Sequence, residues 1–287
     1  MGRLFKRAAE LTIASPVAGD YFRQSSNAVV IKDLRVVFKV SKKIGSKPND
    51  ANITVVNLAE KTRAAFQVRP LQVRLDVGYS GSLARIFSGD VRWVRSIHER
   101  VDWETTIEAG DGERAYKYAR VSRSYKSNVS LRTALEDTAA TMGLKLPKSV
   151  DDAKELAVKF ANGVTLQGPS SEEMTRLLKS KQLQWSVQDG RLQILSKSGT
   201  RPDQAVVISA DTGMIGVPEL GEPDEKGKAP KMKVKALLDD QKAVIVPGGR
   251  VKLETKSLNG VFKVTSVDFI GDTRGHDWYC EVEGTPL

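Results

Sequence analysis

Alternation of apolar and polar positions marks both ends of the chain. In AVVIKDLRVVFKV, residues 28–40, β-branched and aromatic types dominate, and Leu34, Val36, Phe38 and Val40 alternate with more polar neighbours except at Val37. This pattern predicts a strand. Gly45 and Pro48 break it before Ile53 and Val55 resume the alternation, which predicts a hairpin with a polar tip. Asn57, with Glu60 three residues on, has the form of a capping box and predicts a short helix over AEKTRAAF. Leu71, Val73, Leu75, Val77 and Tyr79 alternate strictly, as in a half-buried antiparallel strand, and Ser80-Gly81 supplies a turn. Further strands are expected over Ala84–Ile97 and Asp102–Ala109, with a bulge at Gly89.

From Tyr125 the period changes. Ser130 can cap a helix whose apolar positions Leu131, Ala134, Leu135, Ala139 and Met142 have helical spacing, with Gly143 as its stop. Ser170 and Glu173 open a second predicted helix, and QLQWSVQDGRLQIL reads as a hairpin turning at Asp189-Gly190. The segment from Gly216 to Lys231 reads as a solvated loop, after which KMKVKALL, RVKLET, GVFKVTSVDFI and HDWYCEVE restore the β character. The expected fold is mainly β with an α+β insertion: an amino-terminal arm over 1–24, a small β-barrel over 25–122, an inserted α+β domain over 123–198 and a second, related barrel over 199–287.

The two β-rich flanks resemble each other. Val73 and Leu75 correspond to Val251 and Leu253, and sixteen positions separate Phe87 from Trp103 and Phe262 from Trp278. Asp precedes Trp in both copies, at Asp102-Trp103 and Asp277-Trp278. The shared order of strand, turn, long strand, turn and aromatic-led strand predicts an internal repeat.

With 40% hydrophobic and 28% charged residues, the composition is that of an ordinary folded protein. No apolar run reaches bilayer length, so no membrane span is expected. The amino terminus lacks an apolar stretch followed by a small-residue cleavage site, and reads as cytoplasmically made. The net charge of +10 is scattered along the chain with only 6% aromatics, which favours a solvated basic surface over a base-stacking platform.

Reactive residues concentrate in GDTRGHDWYCEVEG, with Asp272, His276, Asp277 and Cys280. A thiol nucleophile needs its histidine within hydrogen-bond reach. Here four residues on a strand separate His276 from Cys280 by roughly 13 Å. A zinc site lacks ligands, because the only other histidine is His98 and there is no second cysteine. Trp278, Cys280 and Val282 share one strand face, and Cys280 is expected to be a small buried side chain. Adjacent Glu172 and Glu173 point about 100° apart on a helix and suit its N-terminal dipole rather than glycoside hydrolysis. The phosphate-loop, nucleophile-elbow and zinc-protease motifs are absent. No catalytic residue, cofactor or metal is expected.

ANITVVNLAEKTRAAF, VRLDVGYSGSLARIFSGDVRWV, EAGDGERAYKYARVSRSY, SADTGMIGVPE, VPGGRVKLET and FIGDTRGHDWYCEVEG resemble, in order and over nearly the whole chain, the baseplate hub proteins of tailed phages, the late control D-like family. The resemblance implies a homotrimeric ring, placed in the virion tail baseplate and assembled in the host cytoplasm. It joins the hexameric tail tube, or a tube-initiator protein, to the trimeric central spike. Two related barrels per subunit give such a trimer a pseudo-sixfold face. The channel passes DNA at ejection, and the tape measure protein and surrounding baseplate wedge proteins are neighbours. The insertion is similar to the family's peripheral domains, some of which resemble peptidoglycan-binding modules. Leu4, Phe5, Leu11 and Ile13 of the amino-terminal arm are the expected assembly contacts. The rival readings are a hub-linked cell-wall hydrolase, a DNA-binding module and a spike component of a contractile secretion system.

Overall fold

The computed structural model describes residues 6–15, 28–66, 70–147, 154–221 and 230–287. In chain order the first part holds β1 (Arg7–Ala14), β2 (Val29–Ile31), β3 (Val36–Lys43), β4 (Asn49–Val56), helix α1 (Glu60–Ala65), β5 (Gln72–Tyr79), β6 (Ser82–Glu99) and β7 (Asp102–Asp111). The middle holds α2 (Glu113–Lys117), β8 (Arg120–Tyr125), β9 (Val129–Ser130), α3 (Leu131–Thr141), β10 (Lys159–Phe160), β11 (Val164–Pro169), α4 (Ser170–Lys179), β12 (Leu183–Gln188) and β13 (Arg191–Ser196). The last part holds β14 (Val206–Ser209), β15 (Met214–Leu220), β16 (Met232–Leu237), α5 (Asp240–Ala243), β17 (Arg250–Glu254), β18 (Asn259–Asp272) and β19 (Trp278–Pro286).

First and last parts share one 13-stranded sheet, ordered β15-β16-β19-β18-β3-β4-β7-β6-β5-β1-β2, with β17 and β14 branching from β18. Within it a unit is repeated. The chain order β3-β4-α1-β5-β6-β7 recurs as β15-β16-α5-β17-β18-β19, and neighbours within each unit pair antiparallel in the same order. Each long strand carries one bulge against the last strand of its unit, between Val91 and Trp93 in β6 and between Val264 and Ser266 in β18. Superposing the bulges aligns Trp103 with Trp278 and Asp102 with Asp277. Followed through the ladders, the same alignment sets Val73 beside Val251 and Leu75 beside Leu253. It also sets buried Ala51, Ile53 and Val55 beside buried Met232, Val234 and Ala236. The phenylalanines are the exception. Phe87 matches Gly260 and Phe262 matches Gly89, so each unit holds one Phe and one Gly two positions apart on the same face, in exchanged order. A Cβ at Gly89 would lie 2.7 Å from the Phe87 ring and 2.7 Å from the Gly110 carbonyl. Gly89 therefore allows a close approach, and the bulge predicted there falls at Arg92.

Several local expectations are corrected. Residues 7–14 are not a free arm: β1 pairs along its whole length with β5, and Leu11 and Ile13 face the chain's own core. Leu4 and Phe5 lie outside the described residues. Asn57 has φ 59° and its side chain bonds Asp102 and the Trp103 N–H, while Ala59 occupies the N-cap of α1. Pro169, not Ser170, precedes α4, and Glu173 pairs with Arg176. Part of the expected loop after Gly216 belongs to β15. Ser130, by contrast, does cap α3 by accepting from the Thr133 N–H at 3.1 Å, and Asp189 and Gly190, with φ of 52° and 74°, form the β12–β13 turn.

The middle part has a separate hydrophobic core that includes Leu131, Leu135, Met174, Leu178 and Trp185. It also draws in Ala115, Tyr116 and Val121, so the insertion begins with α2, ahead of the boundary expected at 123. Tyr116 stacks on Trp185 with ring centroids 4.9 Å apart.

Candidate assembly surfaces

The two units differ in what covers them. The second half of β18 pairs with β19 on one edge and with β3 on the other, from Ser266↔Lys43 to Asp272↔Val37. The matching half of β6 pairs with β7 alone. Its other edge, Trp93–Glu99, has no strand partner among the described residues. Trp278 lies at the junction between units and is 1% exposed. Its walls come from the other unit and β1: Phe38 and Tyr79 meet it edge-on at 5.5 and 6.4 Å, and the Arg7 guanidinium lies 5.7 Å from its ring centre. Trp103, its counterpart, is 36% exposed and meets groups of its own unit, with Arg63 at 4.0 Å over the ring and His98 at 5.0 Å. Gly271 stands where the first unit has His98. A Cβ there would lie 2.3 Å from Phe38, so the glycine admits the ring from the neighbouring unit. Helix α5 buries Lys242 and Ala243, whereas α1 buries nothing.

The insertion is held to the sheet by a polar joint. The tip of its β12–β13 hairpin enters the ends of β3, β4 and β7, where the Asp189 and Gly190 N–H groups donate to the Asp111 carboxylate at 2.5 and 2.8 Å. Lys42, its side chain 0% exposed, donates to both Asp189 oxygens at 2.7 Å. Asn49 donates to Val187 O and Gln188 Oε1 at 3.0 and 2.9 Å. Burial, with Asp189 nearby, pushes the Asp111 carboxyl up to about 7 despite the opposing Lys42 charge. These polar groups are buried but mutually satisfied, so they fix the angle at which the insertion leaves the sheet.

The reactive residues of the last turn do not converge. His276 and Asp277 are exposed in the turn, while Cys280 is buried against the core and burial pushes its thiol up to about 12. Burial acts to raise the Asp272 carboxyl, but hydrogen bonds from Arg35 and the Arg274 N–H outweigh it and hold the group below its ordinary value. Asp272 thus ties the β18–β19 turn to β3, a structural duty. Glu173 pairs with Arg176 and lies on the surface of the insertion. No cluster of three or more metal-ligating side chains occurs among the described residues, and no described helix is long and apolar enough to cross a membrane. The unpaired edge of β6 was not legible in the residue pattern, since alternation does not tell an edge strand from a central one.

Solved structures share this architecture at low identity. The 43 kDa tail protein of prophage MuSo2 from Shewanella oneidensis has a TM-score of 0.63 at 9% identity, with 96% of each chain covered. A tail protein from Neisseria meningitidis MC58 has a TM-score of 0.63 at 10% identity, covering 98% of this chain and 97% of that one. A chain of the Francisella PdpA–VgrG complex in its half-lidded form has a TM-score of 0.64 at 10% identity, and there the whole of this chain matches 59% of the other. No curated protein sequence matches the chain. The family model described as baseplate hub gp41 matches residues 17–284. This match over most of the chain shows the family: the chain belongs to the baseplate hub gp41 family and has the structural role of a phage tail baseplate hub.

Proposed function

We propose that three copies of the chain close into a ring that joins the hexameric tail tube to the trimeric central spike, with a channel through which DNA passes at ejection. One observation carries this reading: each chain contains the same six-element unit twice, matched down to the bulge of its long strand. Three such chains supply six near-equivalent units to a hexameric tube and three identical chains to a threefold spike, which removes the symmetry mismatch between them. The separate core of the insertion and its polar joint suit a peripheral module held at a set angle outside the ring. Wedge proteins and the tape measure protein are the expected neighbours there and in the channel. The net charge of +10 suits acidic tail partners or passing DNA.

The reading is tested by co-expressing the chain with the spike protein of its own tail and measuring the mass of the purified complex. A complex of three chains with one spike trimer is expected. A monomer that never associates with the spike contradicts it.

A further inference from the structure

The polar joint ties the insertion to the first unit, and a second set of contacts ties it to the other. At the entry, Arg114 of α2 donates its backbone N–H and its Nε to the Asp90 carboxylate at 3.2 and 3.0 Å. At the exit, the Lys263 ammonium donates to the Lys197 carbonyl at 2.8 Å and to that of Ser196 at 3.4 Å. Asp90 lies in β6 and Lys263 in β18, each one position beyond the pair Gly89 and Phe262 that the bulge alignment matches. The insertion therefore holds the same place in both units, and both anchors are buried.

The ground between the anchors is covered by the insertion as well. The β3–β18 ladder ends at Lys43↔Ser266, and beyond it β18 bulges and takes β17 as its neighbour on that edge. The β12–β13 hairpin lies across this handover. Its tip meets β3, with Asp189 on Lys42 and Gln188 Nε2 donating to Lys43 O at 3.0 Å. Its outgoing strand meets the second unit, where Gln193 Nε2 donates to Pro247 O at 3.0 Å. Lys42 and Lys263 are thus two buried ammonium groups on opposite sides of the handover, and one hairpin answers both, at its tip and at its base. Burial holds the Lys263 ammonium below its ordinary pKa, and among the described residues only carbonyls compensate it. A buried charge left without its partners is costly, so the exit of the insertion and β18 are bound to move together. The far end of the seam has its own ties, Arg35 on Asp272 and Phe38 against Trp278.

We propose that the insertion is a brace: it fixes the angle between the two units by holding Asp90 in one and Lys263 in the other and by closing the near end of the β3–β18 seam. Entry, tip and exit give three separate points of attachment, and three points set an orientation where one sets only a position. Buried polar groups that satisfy one another specify a single arrangement, which suits this task. The brace acts inside each chain and does not depend on the ring reading.

The test reads amide hydrogen exchange in the full chain. Gln193→Ala with Lys263→Met removes both side-chain contacts to the second unit and keeps an apolar stem at 263. Arg176→Ala, which breaks the Glu173 pair on the surface of the insertion, is the control. In the double variant, the N–H groups that donate across the seam near Lys43 and Ser266 should exchange about tenfold faster than in the unaltered chain. Those near Val37 and Asp272, and those of β5, should keep their rates, and the control should change none of them. Faster exchange in β12 and β13 beside an unaltered seam overturns the brace, since the insertion would then ride on the first unit alone. Unaltered rates in both regions overturn it too, because the two side chains would then hold nothing. Should the double variant unfold or exchange faster everywhere, Gln193→Ala alone is read by the same outcomes.

Discussion

Trp103 and Trp278 occupy equivalent positions in two copies of one unit, yet one is 36% exposed and the other 1%. Local sequence does not account for this, since Asp precedes Trp at the start of the last strand in both. The difference is position in the sheet of the single chain. Trp278 meets Phe38, Tyr79 and Arg7, all from the other end of the chain, whereas Trp103 meets Arg63 and His98 of its own unit among the described residues. A repeated unit inside one chain thus has one covered face and, among the described residues, one uncovered face.

The comparison breaks first at its aromatic pair. Trp278→Ala removes a fully buried indole and should cost about 3–5 kcal/mol in a chemical denaturation of the unassembled chain. Trp103→Ala should cost under about 1 kcal/mol there. Equal costs would mean that the two units are covered alike.

The next effect sharpens what sets the first unit apart, its insertion. Lys42→Met strands the Asp189 and Asp111 carboxylates without their buried cation, and should cost about 3 kcal/mol. Protease sensitivity should rise around the β12–β13 hairpin before the sheet is lost.

At the same joint, the Asp111 carboxyl is raised to about 7 from an ordinary value near ~3.9. Its folded form therefore binds the proton more tightly than the unfolded chain. The stability this contributes is fully present below about pH 4 and is lost as pH rises through about 7. Between pH 5 and 8 the loss should be on the order of 1–3 kcal/mol. It should be much smaller in Asp111→Asn, as read from denaturation midpoints across that range.

The smallest effect concerns the last strand of the second unit. The buried Cys280, its thiol raised to about 12, should resist iodoacetamide at pH 8 in the native chain and react once denaturant exposes it. Rapid native labelling would show that the second unit is open at its core.

Much of this was legible in the residues. Alternation located β3 to β7 and β16 to β19 to within a few positions, and Val73/Val251, Leu75/Leu253 and the two Asp-Trp pairs fall in register. The equal Phe-to-Trp spacing misled by two positions, because Phe and Gly exchange places on a face that needs only one ring; volume is shared across positions that a linear spacing treats singly. The predicted caps at Asn57 and Ser170 failed because tertiary partners claim those side chains: Asp102 and Trp103 hold Asn57, and Thr141 meets the Ser170 hydroxyl at 2.8 Å. β1 was missed since a strand is recognised by what it pairs with, and its partner β5 lies almost sixty residues away. The same limit hid the free edge of β6. The separate placement of His276 and Cys280 was readable from their spacing, although His276 lies in the turn before β19 rather than on the strand.

Amide hydrogen exchange in the assembled hub tests the central claim most directly. If the ring reading holds and a second copy covers the outer edge of β6, the alternate backbone amides of Val94–His98 that point away from β7 should be protected to the same degree as those of Val267–Gly271 that point toward β3, and only in the assembled form. Fast exchange at those outward-pointing amides in a hub whose mass shows it fully assembled would contradict the account.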